Sequence, residues 1–182
     1  LGVVRLRDLT APERLYQLLH PQLRSAFPPL RSLASTPNNL PQQLNSFIGR
    51  ERELAQTRER LHGARLLTLL GMGGLGKSRL SLQLAAEVLD EFPDGVWLVE
   101  LAGLQDAAAV PLALARVLGV QEDAGTPMVE ALARYVHDKQ LLIVLDNCEH
   151  LLAACAHLVK RLLQAGAGLK VLATSRDVLR IS

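Results

Sequence analysis

The chain has 182 residues, of which 49% are hydrophobic and only 3% aromatic. This is enough for one domain with an aliphatic core, and it favours helices packed on a sheet over an all-β sandwich. The formal net charge is +2, and the 20 basic and 18 acidic residues are interspersed. Charge therefore indicates neither nucleic acid nor an anionic membrane as a direct partner.

Two short segments are predicted before the main domain. Residues 1–20 contain a possible strand over Val3–Leu6 and a short helical stretch from Pro12 to Leu19, too little to bury a core of their own. Residues 21–46 hold five prolines among Ser, Asn and Gln. This composition predicts an extended linker, and the alternative is a structured loop wrapped on the domain.

Residues 47–182 show alternating helix and strand patterns. The predicted helices cover Arg50–His62, Lys77–Phe92, Ala107–Leu118, Pro127–His137 and Cys148–Gln164, and the predicted strands cover Leu66–Leu70, Val96–Leu101, Leu141–Leu145 and Leu169–Ala173. Because the strands are continuous apolar runs separated by helices, they predict a parallel sheet with helices on both faces. The expected fold is an α/β three-layer sandwich.

The two cysteines, Cys148 and Cys155, are predicted to lie seven residues apart on one helix. That spacing separates their Cα atoms by roughly 10 Å, too far for a disulfide. We expect reduced thiols and a cytoplasmic location. We expect no zinc site with His150 and His157, since positions 148 and 150 point to different sides of a helix. No apolar run reaches the ~18 residues of a membrane span, and no signal-peptide pattern is present.

A glycine-rich loop between the first predicted strand and the second helix matches the pattern G-x-x-x-x-G-K-[ST] in full. Its residues are Gly71, Met72, Gly73, Gly74, Leu75, Gly76, Lys77 and Ser78, and Arg79, which follows, is expected to bind the nucleotide with them. Glycines let backbone N–H groups curl around phosphate oxygens, and the helix that follows adds its positive end. We expect Lys77 to meet the β- and γ-phosphates and Ser78 to bind Mg²⁺. The sequence thus predicts a P-loop for ATP or ADP with Mg²⁺, and the alternative is a turn that binds nothing.

Carboxylates for the metal and for water are predicted near the third strand. Asp146 ends that strand, where P-loop enzymes place an acid that orders Mg²⁺, although an aspartate here could also cap a helix. Asn147 follows and cannot act as a base. Glu149 is the nearest remaining carboxylate that could orient an attacking water, or it could only favour a helix start. We therefore predict slow hydrolysis.

The fourth predicted strand ends in Thr174, Ser175 and Arg176. Polar residues at the carboxyl end of a sheet strand face the ligand crevice. Arg176 could contact the γ-phosphate and so distinguish ATP from ADP, or it could be a solvated surface residue.

The segments FIGRE, GMGGLGKSRL, LLIVLDNCEHLL and VLATSRDVLRIS together resemble the STAND class, the NB-ARC-type P-loop ATPases of bacterial regulators and signalling proteins. The resemblance covers about Ser46 to Ser182. It implies that Phe47, Ile48 and Arg50 line the adenine pocket and that Arg176 contacts the γ-phosphate.

The resemblance also has implications for the sheet and for the neighbouring domains. It implies a sheet order of 1-4-3-2 with a fifth strand missing, which would leave Leu66–Leu70 as an unprotected edge. The small helical and winged-helix parts that close over the nucleotide in relatives are expected to be absent, and helical repeats belong to the parent proteins. Residues 1–20 resemble the tail of a class III nucleotide cyclase domain, without its catalytic residues.

The resulting hypothesis is an ATP/ADP switch that regulates an attached cyclase-like or DNA-binding output, with possible nucleotide-dependent self-association. Two alternatives stay open. One is a phosphotransferase for a small substrate, although residues 103–126 contain no arginine-rich lid. The other is a scaffold that holds ADP without turnover.

Overall fold

The computed structural model describes residues 2–4, 13–16, 36–41, 49–123 and 125–181. The elements, in chain order, are β1 (Gly2–Val4), β2 (Glu13–Leu15), α1 (Glu51–Gly63), β3 (Leu66–Leu70), α2 (Lys77–Glu87), β4 (Val96–Glu100), α3 (Ala109–Leu118), α4 (Met128–Val136), β5 (Leu142–Asp146), α5 (Leu152–Ala165) and β6 (Lys170–Ser175). Short 3₁₀ helices cover Leu89–Glu91 and Cys148–His150.

Strands β3 to β6 form one parallel sheet in the order β3-β6-β5-β4. Counted from β3, this is the predicted order 1-4-3-2, so the predicted α/β P-loop fold is confirmed. Strand β3 stands at one edge and pairs only with β6 among the described strands.

Two hydrophobic clusters lie on opposite faces of the sheet. Strand β5 contributes to both, because Ile143 and Leu145 face one cluster while Leu142 and Val144 face the other. Helices α3, α4 and α5 cover the first face, and α1 and α2 cover the second. These four β5 residues are at most 1% exposed, which explains why the strand is apolar up to its last residue, Asp146.

Two predictions of secondary structure are wrong. The stretch predicted to be helical from Pro12 contains strand β2, which pairs antiparallel with β1. The helix predicted from Cys148 begins only at Leu152, because Asn147 adopts a left-handed φ of 68° and a 3₁₀ turn follows. Among the described residues, Asn147 is the one non-glycine residue with a positive φ.

Part of the predicted linker packs on the free edge of β4. The Asn39 side chain donates to the Leu98 carbonyl at 2.8 Å and accepts from the Leu98 N–H at 2.7 Å. The Val96 N–H donates to the Pro37 carbonyl at 3.1 Å. Residues 36–41 therefore follow the alternative of a structured loop, and they satisfy backbone groups that an edge strand would otherwise expose.

Among the helices in the described part of the chain, none combines the length and the apolar character that a membrane span requires.

Candidate functional site

The predicted site residues meet at the carboxyl edge of the sheet. Leu70 at the end of β3 is in register with Ser175 near the end of β6, and β6 in turn pairs with β5. The loops that leave these three strands carry the glycine-rich segment, Arg176 and Glu149. Parallel pairing alone brings these segments together, although more than 100 positions in the chain separate Gly71 from Arg176.

The loop from Gly71 to Gly76 has the backbone geometry of an anion cradle. Gly74 has φ 81° and Gly76 has φ 75°, both in the left-handed region. Helix α2 begins immediately afterwards at Lys77, and its N-cap is Gly76, which offers no side chain to the first N–H groups. These N–H groups and the helix dipole remain directed at the loop, as phosphate binding requires.

Lys77 already lies over this loop. Its Nζ donates to the carbonyl oxygens of Gly71 at 2.7 Å and Met72 at 3.0 Å. The ammonium group is thus held at the mouth of the cradle by weak neutral acceptors, which an anionic phosphate oxygen would replace with a stronger, charge-assisted contact. Ser78 is partly buried in the first turn of α2, and Arg79 beside it is exposed.

Arg50 also reaches the loop. Its Nη1 donates to the Leu75 carbonyl at 2.8 Å, and a Cβ added at Gly76 would lie 3.5 Å from the same nitrogen. The guanidinium therefore packs against the loop backbone, a contact that the sequence did not reveal. Phe47 and Ile48, the other residues expected at the adenine end, lie outside the described residues.

Asp146 is fixed by a neighbouring strand. The Thr174 hydroxyl donates to Asp146 Oδ1 at 2.5 Å and accepts from the Asn147 N–H at 2.9 Å. Thr174 is 1% exposed, so this hydroxyl has no competing water and holds the carboxylate in one orientation. Thr174 was expected at the ligand crevice, but its sequence position alone predicts no role for its hydroxyl.

Glu149 and Arg176 form an ion pair. Arg176 Nε lies 3.0 Å from Glu149 Oε1. The other end of the guanidinium faces the glycine-rich loop, because a Cβ added at Gly73 would lie 3.3 Å from Arg176 Nη2. The structure thus brings together the residues expected at the γ-phosphate and at the attacking water.

The two cysteines are buried free thiols that interact with each other. The expectation that both cysteines lie on one helix is wrong, since Cys148 lies in the 3₁₀ turn before α5 and Cys155 lies in α5. The hydrogen bond that the Cys148 thiol donates to Cys155, and then burial, raise the pKa of the Cys148 thiol. Among the described residues no three His, Cys, Asp or Glu side chains converge as a metal site would require.

Residues 58–179 match the family model for the AAA domain. The chain belongs to this AAA domain family. The match spans both the glycine-rich loop and the Asp146–Arg176 region, so an AAA-type P-loop ATPase domain accounts for the convergence described above.

The chain is similar to proteins of mycobacteria. The chain is 35% identical over 165 residues to an uncharacterised protein of Mycobacterium tuberculosis, covering 90% of this chain and 42% of that protein. Over 113 residues it is 44% identical to a protein of the same species provisionally named an HTH-type transcriptional regulator, covering 62% of this chain and 13% of that protein. The chain therefore spans less than half the length of these relatives.

One solved structure agrees with the fold, and a second shows a more distant similarity. The crystal structure of Cdc6p from Pyrobaculum aerophilum matches 79% of this chain and 42% of its own chain, with TM-score 0.55 and 17% identity. A STAND protein with a tetratricopeptide repeat sensor from Pyrococcus horikoshii matches 81% of this chain and 23% of its own, with TM-score 0.48 and 19% identity.

Proposed function

We propose that this domain is an ATP/ADP-dependent switch that binds nucleotide with Mg²⁺ and hydrolyses ATP slowly. The observation that carries this proposal is the glycine loop that opens into α2, with Lys77 Nζ held 2.7 Å from the Gly71 carbonyl. Three basic side chains, Arg50, Lys77 and Arg176, approach this one loop. Such a concentration of positive charge on an uncapped helix start fits a polyphosphate.

The residues expected to hold Mg²⁺ fit that role. Asp146 presents a carboxylate whose orientation is fixed by Thr174, and Ser78 offers a hydroxyl in the first turn of α2. Oxygen ligands of this kind are what Mg²⁺ prefers. When bound, the ion would supply charge neutralisation between phosphate oxygens, while Ser78 and Asp146 would set its position.

Slow hydrolysis is expected because neither Asn147 nor Glu149, the polar residues that follow Asp146, is set up to activate water. Asn147 is an amide, and its backbone N–H is engaged with Thr174 at 2.9 Å. Glu149 is engaged with Arg176 at 3.0 Å, so it is not poised as an unencumbered base. A domain that binds ATP readily and converts it slowly suits a signalling role, because each nucleotide state then persists.

The output that the switch would control is proposed from the relatives. One mycobacterial relative carries the name of an HTH-type transcriptional regulator, which supports a DNA-binding output in a longer protein. The resemblance to the NB-ARC type of ATPase, and that of residues 1–20 to a cyclase tail, favours a signalling context, with ATP promoting self-association. No direct contact with nucleic acid or membrane is proposed for this domain.

Incubation of the purified domain with Mg²⁺ and γ-³²P-ATP separates the candidate activities. The switch predicts release of inorganic phosphate at well under one turnover per second, abolished by Asp146→Asn. Label transferred to a small substrate would support a phosphotransferase instead. Tight ADP retention with no phosphate release over hours would support a scaffold, and turnover of many per second would contradict the switch.

A further inference from the structure

Glu149 makes its ion pair with one particular atom of Arg176. Arg176 Nε lies 3.0 Å from Glu149 Oε1. The Glu149 side chain is 17% exposed, whereas that of Arg176 is 62% exposed. The ion pair therefore holds the Nε atom of an arginine side chain that is otherwise largely exposed to solvent.

The Nη2 amino group of Arg176 lies beside the phosphate loop. A Cβ at Gly73 would lie 3.3 Å from Nη2 and 3.8 Å from Cζ of Arg176. Gly73 does not have a positive φ, so its backbone conformation does not demand glycine. The short distance places the Nη2 amino group of Arg176 beside the proposed phosphate site.

The Glu149 carboxylate is committed to this contact. Its second oxygen, Oε2, is buried without a hydrogen-bond partner among the described residues. Leaving a buried carboxylate oxygen unpaired is unfavourable, and the Arg176 pair compensates for part of that cost. A carboxylate in this position is therefore better explained by its hold on Arg176 than by a surface role.

We propose that Glu149 is a positioning residue that aims Arg176 at the terminal phosphate of a nucleoside triphosphate. Through Nε it fixes the guanidinium beside Gly73, so that the terminal amino groups meet the third phosphate without first being ordered. Glu149 thereby sets the preference of the domain for triphosphate over diphosphate. This inference rests on the proposed function, and it replaces the expected role of Glu149 in orienting water.

The test compares equilibrium affinities for ADP and for a non-hydrolysable ATP analogue by isothermal titration calorimetry, at constant Mg²⁺ and salt. Arg176→Ala is expected to weaken analogue binding about tenfold, which is the contribution to affinity expected of one charge-assisted hydrogen bond. Glu149→Ala is expected to weaken it about fivefold through the same arginine, since the pair is partly exposed. Glu149→Gln keeps an acceptor for Nε and should retain most of the affinity.

Two controls isolate the effect. ADP affinity should stay within about twofold in all three variants, because the diphosphate does not reach Arg176. Glu130→Ala breaks a comparable ion pair, with Arg161 at 2.6 Å, and should change neither affinity. Adding Glu149→Ala to Arg176→Ala should bring no further loss, as expected for two residues that act as one unit.

Three results would overturn the proposal. One is an unchanged analogue affinity in Glu149→Ala. Another is a tighter analogue affinity, which would mean that Glu149 competes with the phosphate for Arg176. A third is a loss of analogue affinity that is as large when Glu149→Ala is added to Arg176→Ala as when Glu149→Ala is made alone. If ADP still binds in these cases, only the role of Glu149 fails, whereas failure of the unmodified domain to bind either nucleotide would overturn the proposed function as well.

Discussion

The hydroxyl of Thr174 donates a 2.5 Å hydrogen bond to the carboxylate of Asp146 on the neighbouring strand. The same oxygen accepts from the Asn147 N–H at 2.9 Å. One buried threonine thus ties the proposed magnesium ligand to the turn that carries Glu149 and Cys148.

Thr174→Val is expected to loosen this arrangement without changing the volume of the side chain much. The partly buried Asn147 N–H and Asp146 Oδ1 each lose a hydrogen-bond partner, which should lower the free energy of unfolding by about 1–3 kcal/mol. Urea denaturation measures this change. The Mg²⁺ dependence of ADP affinity should weaken too, whereas Thr174→Ser should preserve both, and equal behaviour of the two variants would contradict the role of the hydroxyl.

Gly76→Ala tests the backbone of the phosphate loop. Gly76 has φ 75°, which costs an alanine about 1–2 kcal/mol, and the added Cβ would lie 3.5 Å from Arg50 Nη1. We expect loss of nucleotide affinity in calorimetry together with a lower unfolding free energy. Gly63→Ala is the matched control, since nothing lies within 4 Å of the added Cβ at the end of α1. Similar effects at both positions would argue against a special loop geometry.

Asn39→Ala tests the loop that covers the β4 edge. The substitution removes both hydrogen bonds to the Leu98 peptide, which should cost about 1–2 kcal/mol of unfolding free energy. It should also raise light scattering on storage, because an uncovered edge invites pairing with another chain. Pro41→Ala, at an exposed neighbour, should show neither change.

Asp94 gives a prediction for acid pH. The Gln140 N–H, and then Lys139, hold its pKa below the ordinary range. Because the folded-state pKa is the lower one, its stabilising contribution is present above the unfolded pKa of about 3.9 and is lost as pH falls through the folded value. Urea unfolding from about pH 6 down to pH 3 should therefore show a smaller acid loss in Asp94→Asn than in the unmodified chain.

The matched substitution for this experiment is Asp138→Asn, at a side chain that is 92% exposed. Its acid profile should follow the unmodified chain. If acid lowers the free energy of unfolding equally in Asp94→Asn and in the unmodified chain, the Asp94 contacts do not contribute measurably to the acid dependence of stability.

The sheet could be predicted from the sequence because each strand is an apolar run bounded by glycine or polar residues. Strand β3 was predicted over Leu66–Leu70 and is found there, and the other three strands differ by a residue or two at their ends. The phosphate loop could also be predicted from the sequence, since its glycines and lysine lie within one short segment of the chain. Sheet order came from family resemblance, because the strand patterns themselves do not state which neighbours pair.

Contacts between distant segments were not predictable. The Thr174–Asp146 bond depends on the register of β5 and β6, and the reach of Arg50 to Leu75 depends on where α1 begins relative to the loop. The prediction that both cysteines lie on one helix was wrong for a local reason. A helical pattern continues through Asn147 and Cys148, but the left-handed φ of Asn147 shifts the helix start to Leu152.

The central claim is tested most directly by nucleotide binding to Lys77→Ala in a sample shown by circular dichroism and urea unfolding to be folded. Lys77 Nζ now rests on the Gly71 and Met72 carbonyls, so its loss should leave the fold intact while removing a charge-assisted phosphate contact. Calorimetry should show at least about tenfold weaker binding of both ATP and ADP. Unchanged affinity for both nucleotides would contradict phosphate binding by this loop.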